Sequence, residues 1–471
     1  MAQAEQSASA ADPGGSVATS TASHLKPTGL QKRTWWALVL VGLVGQVAWV
    51  VENMYLNLFV YNTITDDPTV IAAMVAVSAI SATAAAFVVG AWSDRVGRRR
   101  VFIAMGYVLW GLSTMTFGIA SVETLAGFVP VATAAAAAAT TVIVIDAIMS
   151  FLGAGANDAS FNAWVTDVTD EGNRGRVETV LTAMPLVAML LVFGGLDGLT
   201  KNGDWGLFFI VTGLLMIIAG GLAWLLVRDA PGEPVQHDTL WRAMVHGLRP
   251  SAVRADPDLY VALAALAIVG ISSQIFLPYL LIYIQNYLQI DAYALVLAVV
   301  LVGASVAGIL GGRVIDRIGK VNAMLPAAGI YVAGLVLTFL ARGLVPLIGA
   351  GLVLMSGFLL SQAAIAASVR DYTPPDRVGT VQGLRMVFFV ALPMVIGPAI
   401  GAAVIKNADA TYVELGQIKQ VPTPGIFLAA AFVVLLVVIP VLALRKRQRE
   451  GVEYRPDQPQ TPDVGGDPRH P

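Results

Sequence analysis

The fold is decided by the stretch Gly90-Ala-Trp-Ser-Asp94-Arg95-Val-Gly97-Arg98, which has a second copy in the chain. The copy is Gly312-Arg-Val-Ile-Asp316-Arg317-Ile-Gly319-Lys320, and it follows at an offset of 222 residues. In each copy an apolar run ends at an aspartate that is followed by basic residues and a glycine. A motif repeated at this distance indicates an internal duplication of a large unit.

A second, shorter motif repeats in the same order. Asp167, in Val165-Thr-Asp-Val-Thr169, corresponds to Asp371, in Val369-Arg-Asp-Tyr-Thr373, at an offset of 204 residues. Arg174 and Arg377, which follow these segments, correspond at an offset of 203 residues. Because both motifs occur in the same order in each part, the sequence predicts two similar halves.

The composition is typical of a protein embedded in a membrane. Of the 471 residues, 56% are hydrophobic and 13% are charged, about half the roughly 25% of soluble domains. The apolar residues form stretches of about 20 or more, the length of helix that crosses a bilayer. These features argue against a soluble globular enzyme.

We predict twelve transmembrane helices, six on each side of a polar segment at the middle of the chain. The predicted spans are 35–62, 68–93, 101–121, 137–165, 177–199, 206–227, 259–286, 291–314, 321–341, 344–369, 381–405 and 423–444. They form an N-terminal bundle (32–228) and a C-terminal bundle (259–445), joined by a cytoplasmic linker (229–258). The tails (1–31 and 446–471) are predicted to be disordered.

The linker carries an amphipathic pattern. Five apolar residues between Leu240 and Leu248 fall on one helical face, opposite Arg242 and His246. This predicts a helix that lies on the cytoplasmic surface of the membrane. The alternative is an ordinary linker in which the pattern arises by chance.

Basic residues are distributed unequally between the two ends of the predicted spans. With the first span leaving the cytoplasm, 24 of the 29 Lys and Arg residues lie inside, 4 lie outside, and Arg385 lies within a span. This is the positive-inside pattern of membrane proteins. It predicts a multi-pass protein of the cytoplasmic cell membrane with both termini in the cytoplasm.

The first motif resembles the signature loop of the major facilitator superfamily, and its copy is similar to the counterpart in the second half. The resemblance covers about residues 32–445 and implies an all-α membrane protein, with twelve transmembrane helices in two pseudo-symmetric six-helix bundles. It also implies that the loop locks the halves together on the cytoplasmic side. The predicted gating residues are Gly90, Asp94, Arg95, Gly97, Arg98, Asp316 and Arg317.

Glycines in these helices predict close packing. Gly90 and Gly312 are expected to let two helices approach closely. The Gly308-x-x-x-Gly312 and Gly397-x-x-x-Gly401 spacings indicate tight packing more than function.

The second motif supplies further gating candidates. In its turns, a carboxylate and a guanidinium can pair across the halves as the halves move. Helix capping is an equally good interpretation for each residue alone. The candidates are Asp167, Arg174, Asp371 and Arg377.

Ionisable residues inside the predicted spans are functional candidates, because a charge at the bilayer centre costs about 2.5–3.5 kcal/mol. Glu52 lies in span 1, Asp146 and Asp158 in span 4, and Arg385 in span 11. The chain has no cysteine, and its four histidines lie in the tails or the linker. Proton chemistry within the membrane must therefore use carboxylates, and Asp158, Glu52 and Asp146 are the predicted ion-coupling residues.

Span 1 carries a polar stripe that predicts a solute site. The stripe consists of Gln46, Trp49, Asn53 and Asn57, with Glu52 at its edge. An aromatic ring beside amide groups suits a polyhydroxylated ligand, which stacks on the ring and hydrogen-bonds along its edge. A polar contact between helices is the alternative interpretation.

In span 4, the run Asn157-Asp158-Ala-Ser-Phe161-Asn162 resembles the acidic fourth helix of cation-coupled sugar symporters of the glycoside-pentoside-hexuronide type. The resemblance implies that Asp158 binds the coupling ion or the sugar, beside Asn157 and Asn162. Such symporters usually carry further carboxylates in their second helix, whereas residues 68–93 have none. This difference favours a proton on Asp158 or Glu52 over sodium.

The second half is expected to complete a central solute site. Its candidates are Tyr279 and Tyr283 in span 7 and Gln362 in span 10. Arg385 lies about one turn from the cytoplasmic end of span 11, so it either lines the site or extends to the membrane surface.

These observations predict a secondary active transporter that moves a small solute by alternating access, by proton- or cation-coupled symport of a sugar or glycoside. The alternative is proton-driven efflux of amphipathic compounds. We expect no enzymatic activity and no cofactor, because no nucleophile–base pair or metal-ligand cluster falls near an interface. The expected partners are the solute, the coupling ion and the lipid bilayer, without nucleic acid, and the family resemblance implies a functional monomer.

Overall fold

The computed structural model describes residues 30–169, 173–229, 249–374, 378–414 and 417–449. Twelve helices in this part of the chain are long and apolar enough to cross a membrane, which confirms the predicted number. Spans 1 to 12 are Lys32–Thr63, Pro68–Val96, Arg99–Ile119, Ala132–Val168, Arg176–Gly195, Trp205–Leu226, Pro257–Tyr287, Tyr293–Ile315, Lys320–Leu340, Leu344–Asp371, Gly383–Ala408 and Gly425–Arg449. The last helix passes the predicted bundle boundary at 445, and the predicted linker helix lies outside the described residues.

Shorter elements connect or interrupt the spans. Short helices cover Val122–Ala126, Asp197–Lys201, Pro250–Ala255 and Val378–Arg385, the last of which leads into span 11. Single 3-10 turns occur at Thr116–Ile119 in span 3 and Leu277–Tyr279 in span 7.

The ends of span 2 show how local sequence sets the helix bounds. Asp67 caps the N-terminus by accepting hydrogen bonds from the backbone N–H and the hydroxyl of Thr69, at 2.9 and 2.7 Å. Pro68 follows at the first helical position, where its fixed φ is favourable. At the other end Gly97 adopts a left-handed conformation with φ of 64°, which glycine takes without steric cost. The glycine of the first motif therefore ends span 2 and turns the chain towards span 3.

Four spans contain a π-helical segment in place of uninterrupted α-helix. These segments are Val51–Tyr55 in span 1, Ala154–Phe161 in span 4, Tyr283–Tyr287 in span 7 and Met386–Ala391 in span 11. π-Helical turns are rare and frequently occur at functional sites. The first three contain Glu52, Asp158 and Tyr283, all of which are candidate site residues.

Helix packing divides the spans into two groups of six. In the first half span 3 packs against span 6 and span 2 against span 4, and in the second half span 9 packs against span 10 and span 7 against span 12. The halves meet where span 2 packs against span 11 and span 5 against span 8. This is the predicted arrangement of two six-helix bundles.

The glycines of span 11 are sites of close helix approach. A Cβ atom on Gly401 would lie 2.3 Å from the carbonyl oxygen of Ile275, and one on Gly397 would lie 2.5 Å from the Cβ of Gln274. Span 11 therefore packs tightly against span 7, as the spacing predicted.

The same expectation for Gly312 is wrong. A Cβ atom on Gly312 would meet no atom within 4 Å, because this part of span 8 faces outwards, with Ile309 71% exposed. A Cβ atom on Gly308 would lie 3.8 Å from Leu359, so the Gly308-x-x-x-Gly312 spacing does not mark tight packing. A Cβ atom on Gly90 would lie 3.7 Å from that of Ala159, which is an ordinary contact.

The loop between spans 11 and 12 contains an antiparallel hairpin of strands β1, Thr411–Glu414, and β2, Gln417–Gln420, which the sequence analysis did not predict. The hairpin contacts the first half. The backbone N–H of Gln420 donates to Asp66 Oδ2 at 2.5 Å, and the Tyr61 hydroxyl donates to the Gln420 carbonyl at 2.6 Å. We call this end of the bundle, formed by residues 61–67, 197–204, 288–292, 405–414 and 417–424, the clasped end.

The opposite end, formed by residues 97–99, 167–169, 318–320 and 371–374, is called the basic end. Among the described residues, the ion pairs there join residues of the same half, such as Lys320 and Asp371 at 2.6 Å. At the clasped end, in contrast, Lys406 of the second half pairs with Asp67 of the first at 3.1 Å. The structure is therefore closed at the clasped end.

Candidate functional site

Asp158 is an exposed carboxylate in the interior of span 4. It lies in the π-helical segment of span 4, and its side chain is exposed although the helix crosses the membrane. Its Oδ1 accepts a hydrogen bond from Asn157 Nδ2 at 2.9 Å, and its carbonyl accepts one from Asn162 Nδ2 at 3.2 Å. Because a charge in lipid is costly, this exposed carboxylate indicates a water-filled cavity. The structure thus brings the three predicted residues of span 4 together.

Tyr107 of span 3 supports this group and was not identified from the sequence. Its hydroxyl donates to Asn157 Oδ1 at 2.9 Å and to the Val41 carbonyl of span 1 at 3.1 Å. Gly45 makes room for these groups, since a Cβ atom there would lie 2.5 Å from both Asn157 Oδ1 and the Tyr107 hydroxyl.

The polar stripe of span 1 lies beside Asp158. Trp49 is 41% exposed, and Glu52 is close enough to Asp158 to interact electrostatically with it. Asn53 Nδ2 donates to the Trp49 carbonyl at 3.0 Å, and Asn57 Nδ2 donates to the Asn53 carbonyl at 2.8 Å. Asn57 Oδ1 is buried and has no hydrogen-bond partner among the described residues, so it remains available to water or a ligand.

Glu52 contacts two serines from neighbouring helices. Ser150 Oγ of span 4 lies 2.5 Å from Glu52 Oε1, and Ser78 Oγ of span 2 lies 3.1 Å from the same oxygen, both within hydrogen-bond distance. The two serine oxygens are 2.5 Å apart. Asp146 of span 4 is 2% exposed, and its Oδ1 has no hydrogen-bond partner among the described residues.

The predicted tyrosines of span 7 are fully buried. The Tyr279 hydroxyl lies 3.0 Å from the carbonyl oxygens of both Pro68 and Pro398, so it donates across the contact between spans 2 and 11. The Tyr283 ring stacks on that of Tyr287 with centroids 5.4 Å apart, and its hydroxyl has no partner in the described part of the chain. Tyr279 therefore joins the halves in this structure.

Gln362 of span 10 is half-buried, and both polar atoms of its amide are buried without a partner among the described residues. A buried polar group left unpaired costs about 1–3 kcal/mol, so water or a ligand is expected to satisfy this amide. Arg385 is half-buried and immediately precedes the π-helical segment of span 11.

The clasped end contains a buried carboxylate that the sequence analysis did not assign. Asp197 is 4% exposed and accepts hydrogen bonds from the hydroxyls of Tyr55, at 2.9 Å, and Tyr293. Lys201 pairs with Asp197 at 3.0 Å and donates to the Asp291 carbonyl at 3.0 Å. Because Tyr293 and Asp291 belong to the second half, this cluster joins the halves. The spacing of Asp197 and Lys201, four residues apart, was its one sequence signal.

The pair of Asp67 and Lys406 acts at the same end. Although burial acts to raise it, the hydrogen bonds from Thr69 and the nearby Lys406 ammonium hold the pKa of Asp67 below its usual range. The carboxylate therefore stays ionised at neutral pH. The contribution of this ion pair to closure of the clasped end is lost only as the pH falls below roughly 4, the usual pKa of an aspartate.

Arg99 organises the first motif at the basic end. Its guanidinium pairs with Asp94 at 2.5 Å and with Asp167 at 3.2 Å, and it donates to Ser93 Oγ at 2.6 Å. Two predicted gating aspartates thus pair, within the first half, with an arginine to which the sequence analysis gave no gating role.

The remaining gating candidates are dispersed at the basic end. Arg95, Arg98 and Arg317 are exposed, and Asp371 pairs with Lys320 of its own half at 2.6 Å. Arg377 and the side chains of Arg174 and Asp316 lie outside the described part of the structure.

A small apolar cavity of about 80 Å³ lies between the halves near the clasped end. Spans 1 and 5 contribute one methionine each, and spans of the second half contribute aromatic and aliphatic side chains. Its lining includes Met54, Met189, Phe276, Leu280 and Leu297.

The family model described as Major Facilitator Superfamily matches residues 34–398 of the chain and, a second time, residues 262–465. The chain belongs to the major facilitator superfamily. This confirms the family predicted from the repeated motifs, and with the twelve spans it points to a membrane transporter of small molecules. No curated protein matches the chain in sequence.

Solved structures of other transporters share the major facilitator fold of this chain. The nucleoside transporter NupG is 13% identical with a TM-score of 0.66, over 88% of this chain and 100% of that one. A bacterial homologue of the human lysosomal transporter Spinster, in an inward-facing and unoccupied conformation, is 16% identical with a TM-score of 0.66, over 90% and 99%. At these identities the likeness shows the fold alone.

Proposed function

We propose that the chain is a secondary active transporter that carries a small hydroxylated solute, a sugar or glycoside, by proton-coupled symport. The observation that supports this most directly is the polar group of Asn157, Asp158 and Asn162, of which the last two are exposed, together with the exposed ring of Trp49 on span 1. Amides and a carboxylate hydrogen-bond to hydroxyl groups, and an indole face packs against the apolar face of a sugar ring.

The second half contributes Gln362, whose unpaired amide is suited to a polar solute. The carboxylates Asp158, Glu52 and Asp146 are the candidate groups for binding the coupling proton. One charge moving down about 100 mV supplies roughly 2.3 kcal/mol, enough for nearly a fifty-fold gradient of solute.

The basic end is proposed to face the cytoplasm, because 24 of the 29 basic residues fall on that side of the spans. The clasped end then faces the outside, and the structure represents a state closed to the outside. In the opposite state, Arg95 and Arg98, which are exposed here, are proposed to contact the second half and lock the basic end.

A second candidate function is proton-driven efflux of amphipathic compounds. The apolar cavity between the halves favours it, since aromatic and aliphatic lining suits the apolar part of such a molecule. Its volume of about 80 Å³ is well below the 300–1,000 Å³ of typical ligand pockets, so we rank this candidate second.

The test is to follow extracellular pH in weakly buffered, de-energised cells that express the protein. Glucose, xylose and a methyl glucoside are added singly, followed by nucleosides and organic acids. Alkalinisation with one compound is expected. Asp158→Asn should abolish it, because the variant lacks the exposed carboxylate that binds the solute.

The matched control is Asp204→Asn, which alters a carboxylate that caps no helix through its side chain and lies outside the site. It should retain the pH response. If no compound changes the pH, while the expressing cells extrude a lipophilic cation such as tetraphenylphosphonium, symport is wrong and efflux is favoured.

A further inference from the structure

The oxygen atoms around Glu52 form a closed ring. Glu52 Oε1, Ser78 Oγ and Ser150 Oγ are within hydrogen-bond distance of one another, at 3.1, 2.5 and 2.5 Å. The three atoms come from spans 1, 2 and 4, and both serines are buried, at 4% and 2% exposure. Each of the three contacts requires a hydrogen atom between two electronegative oxygens.

Counting hydrogen atoms identifies the protonation state that this ring needs. Two serine hydroxyls supply one hydrogen each, whereas a carboxylate supplies none. The ring has three contacts, so the third hydrogen must come from the Glu52 carboxyl group. The geometry is therefore that of a neutral Glu52 that holds a proton.

Asp146 provides a second carboxyl group next to the ring. It lies one helical turn before Ser150 and close enough to Glu52 to interact electrostatically. Its carboxyl group hydrogen-bonds with Ser78 of the ring, whereas its Oδ1 is buried and has no hydrogen-bond partner among the described residues, which is costly unless another group completes the site. A carboxylate in this position can accept the proton when the ring opens.

Asp158 has different surroundings. It is exposed, it accepts a hydrogen bond from Asn157, and none of its described hydrogen bonds involves Ser78 or Ser150. Glu52 interacts electrostatically with two carboxyl groups, those of Asp146 and Asp158, and both belong to span 4. The buried ring and the exposed carboxylate are thus neighbouring sites with separate partners.

We propose that the ring of Glu52, Ser78 and Ser150, together with Asp146, is the binding site of the coupling proton, and that Asp158 binds the solute. This rests on the proton-coupled transport proposed above. In the bound state the proton forms the O–H bond of Glu52. On release this bond breaks, the proton passes to Asp146 or to water of the cavity, and Glu52 becomes a carboxylate that attracts the two serine hydroxyls.

The first test reads the proton directly and needs no solute. In the infrared spectrum of the purified protein at neutral pH, we expect the carbonyl stretch of a protonated carboxylic acid, which Glu52→Gln removes. Ser78→Ala and Ser150→Ala should shift it, because each removes a hydrogen bond of the ring. Ser81→Ala is the matched control, since Ser81 joins the same two spans by donating to the Ala147 carbonyl and does not touch Glu52.

A band that persists in Glu52→Gln and disappears in Asp158→Asn would overturn the proposal. So would a band that sodium ions abolish at constant pH, since the site would then be a sodium site. Thermal unfolding of each variant shows whether it folds. If Glu52→Gln does not fold, the band shifts of Ser78→Ala and Ser150→Ala still decide the test.

The second test separates coupling from solute binding in proteoliposomes, with the solute identified by the pH assay. Glu52→Gln should lose the accumulation driven by a proton gradient, up to about fifty-fold per 100 mV, far more than it loses solute exchange. Asp158→Asn should lose both together. Equal loss of both activities in Glu52→Gln would contradict the division of roles between Glu52 and Asp158. Failure of the wild type to exchange any solute would contradict the proposed function, and the infrared result alone would then show whether the ring holds a proton.

Discussion

Gly45 controls the distance between span 1 and the amide of Asn157. A methyl group at this position would lie 2.5 Å from Asn157 Oδ1 and from the Tyr107 hydroxyl, so one of them must move. We expect Gly45→Ala to displace Asn157 from Asp158 and to weaken solute binding about tenfold, the effect of a strain of ~1.4 kcal/mol. The measurement is the half-saturating solute concentration in the pH assay.

Gly194→Ala is the matched control for this prediction. It makes the same change within span 5, where an added Cβ atom meets nothing within 4 Å, and it should leave solute binding unaltered. Wild-type affinity in Gly45→Ala would show that the position of Asn157 has no part in holding the solute.

At the residue scale, the sequence identified the charged members of the candidate site more readily than their partners. Glu52, Asp146 and Asp158 stood out because charge is rare in a membrane span. Ser78 did not, because a serine in a helix is unremarkable until the rotation of that helix is known. The partners of Glu52 lie 26 and 98 residues away, so tertiary packing alone brings them together.

The contact between span 1, the short helix Asp197–Lys201 and span 8 holds the clasped end closed. Tyr293→Phe removes a hydrogen bond to a charged group, which contributes about 1.5–3 kcal/mol. We expect this change to favour opening of the clasped end by tenfold or more. Because the chain has no cysteine, a single Met54→Cys in the buried contact can report opening through its rate of reaction with a membrane-impermeant maleimide.

Tyr331→Phe is the control at this scale. It removes a buried tyrosine hydroxyl that accepts from Ser272 within the second half, away from the contact between the halves. Its labelling rate should equal that of the parent Met54→Cys chain. An unchanged rate in Tyr293→Phe would mean that other contacts, such as the pair of Lys406 and Asp67, suffice for closure.

The elements differ in how well the sequence predicted them. The twelve spans followed from the length of the apolar stretches, which the bilayer sets. The hairpin of β1 and β2 did not, because strands of four residues carry little periodicity and this hairpin is held by Asp66 and Tyr61 of the other half. The π-helical segments were also missed, since they leave the hydrophobic pattern of a span unchanged.

For the whole molecule, the orientation decides which side of the membrane the closed end faces. Ile418, at the hairpin, is 72% exposed, and Ser251, in the short helix before span 7, is exposed at the other end. We expect Ile418→Cys to react with an impermeant maleimide in intact cells, and Ser251→Cys to react only after the cells are permeabilised. The reverse pattern would show that the topology is the opposite of the one proposed, with the closed end facing the cytoplasm.

In the π-helical segments, a change of one residue can alter the direction in which side chains point while the span stays long enough to cross the bilayer. An α-helix turns by about 100° per residue, so deleting one codon within Ala154–Phe161 would keep span 4 long enough to cross the bilayer yet rotate one part of it against the other. Asp158 would then be carried round towards lipid. Natural variants that gain or lose a single residue in these segments should therefore insert normally into the membrane but differ in what they carry.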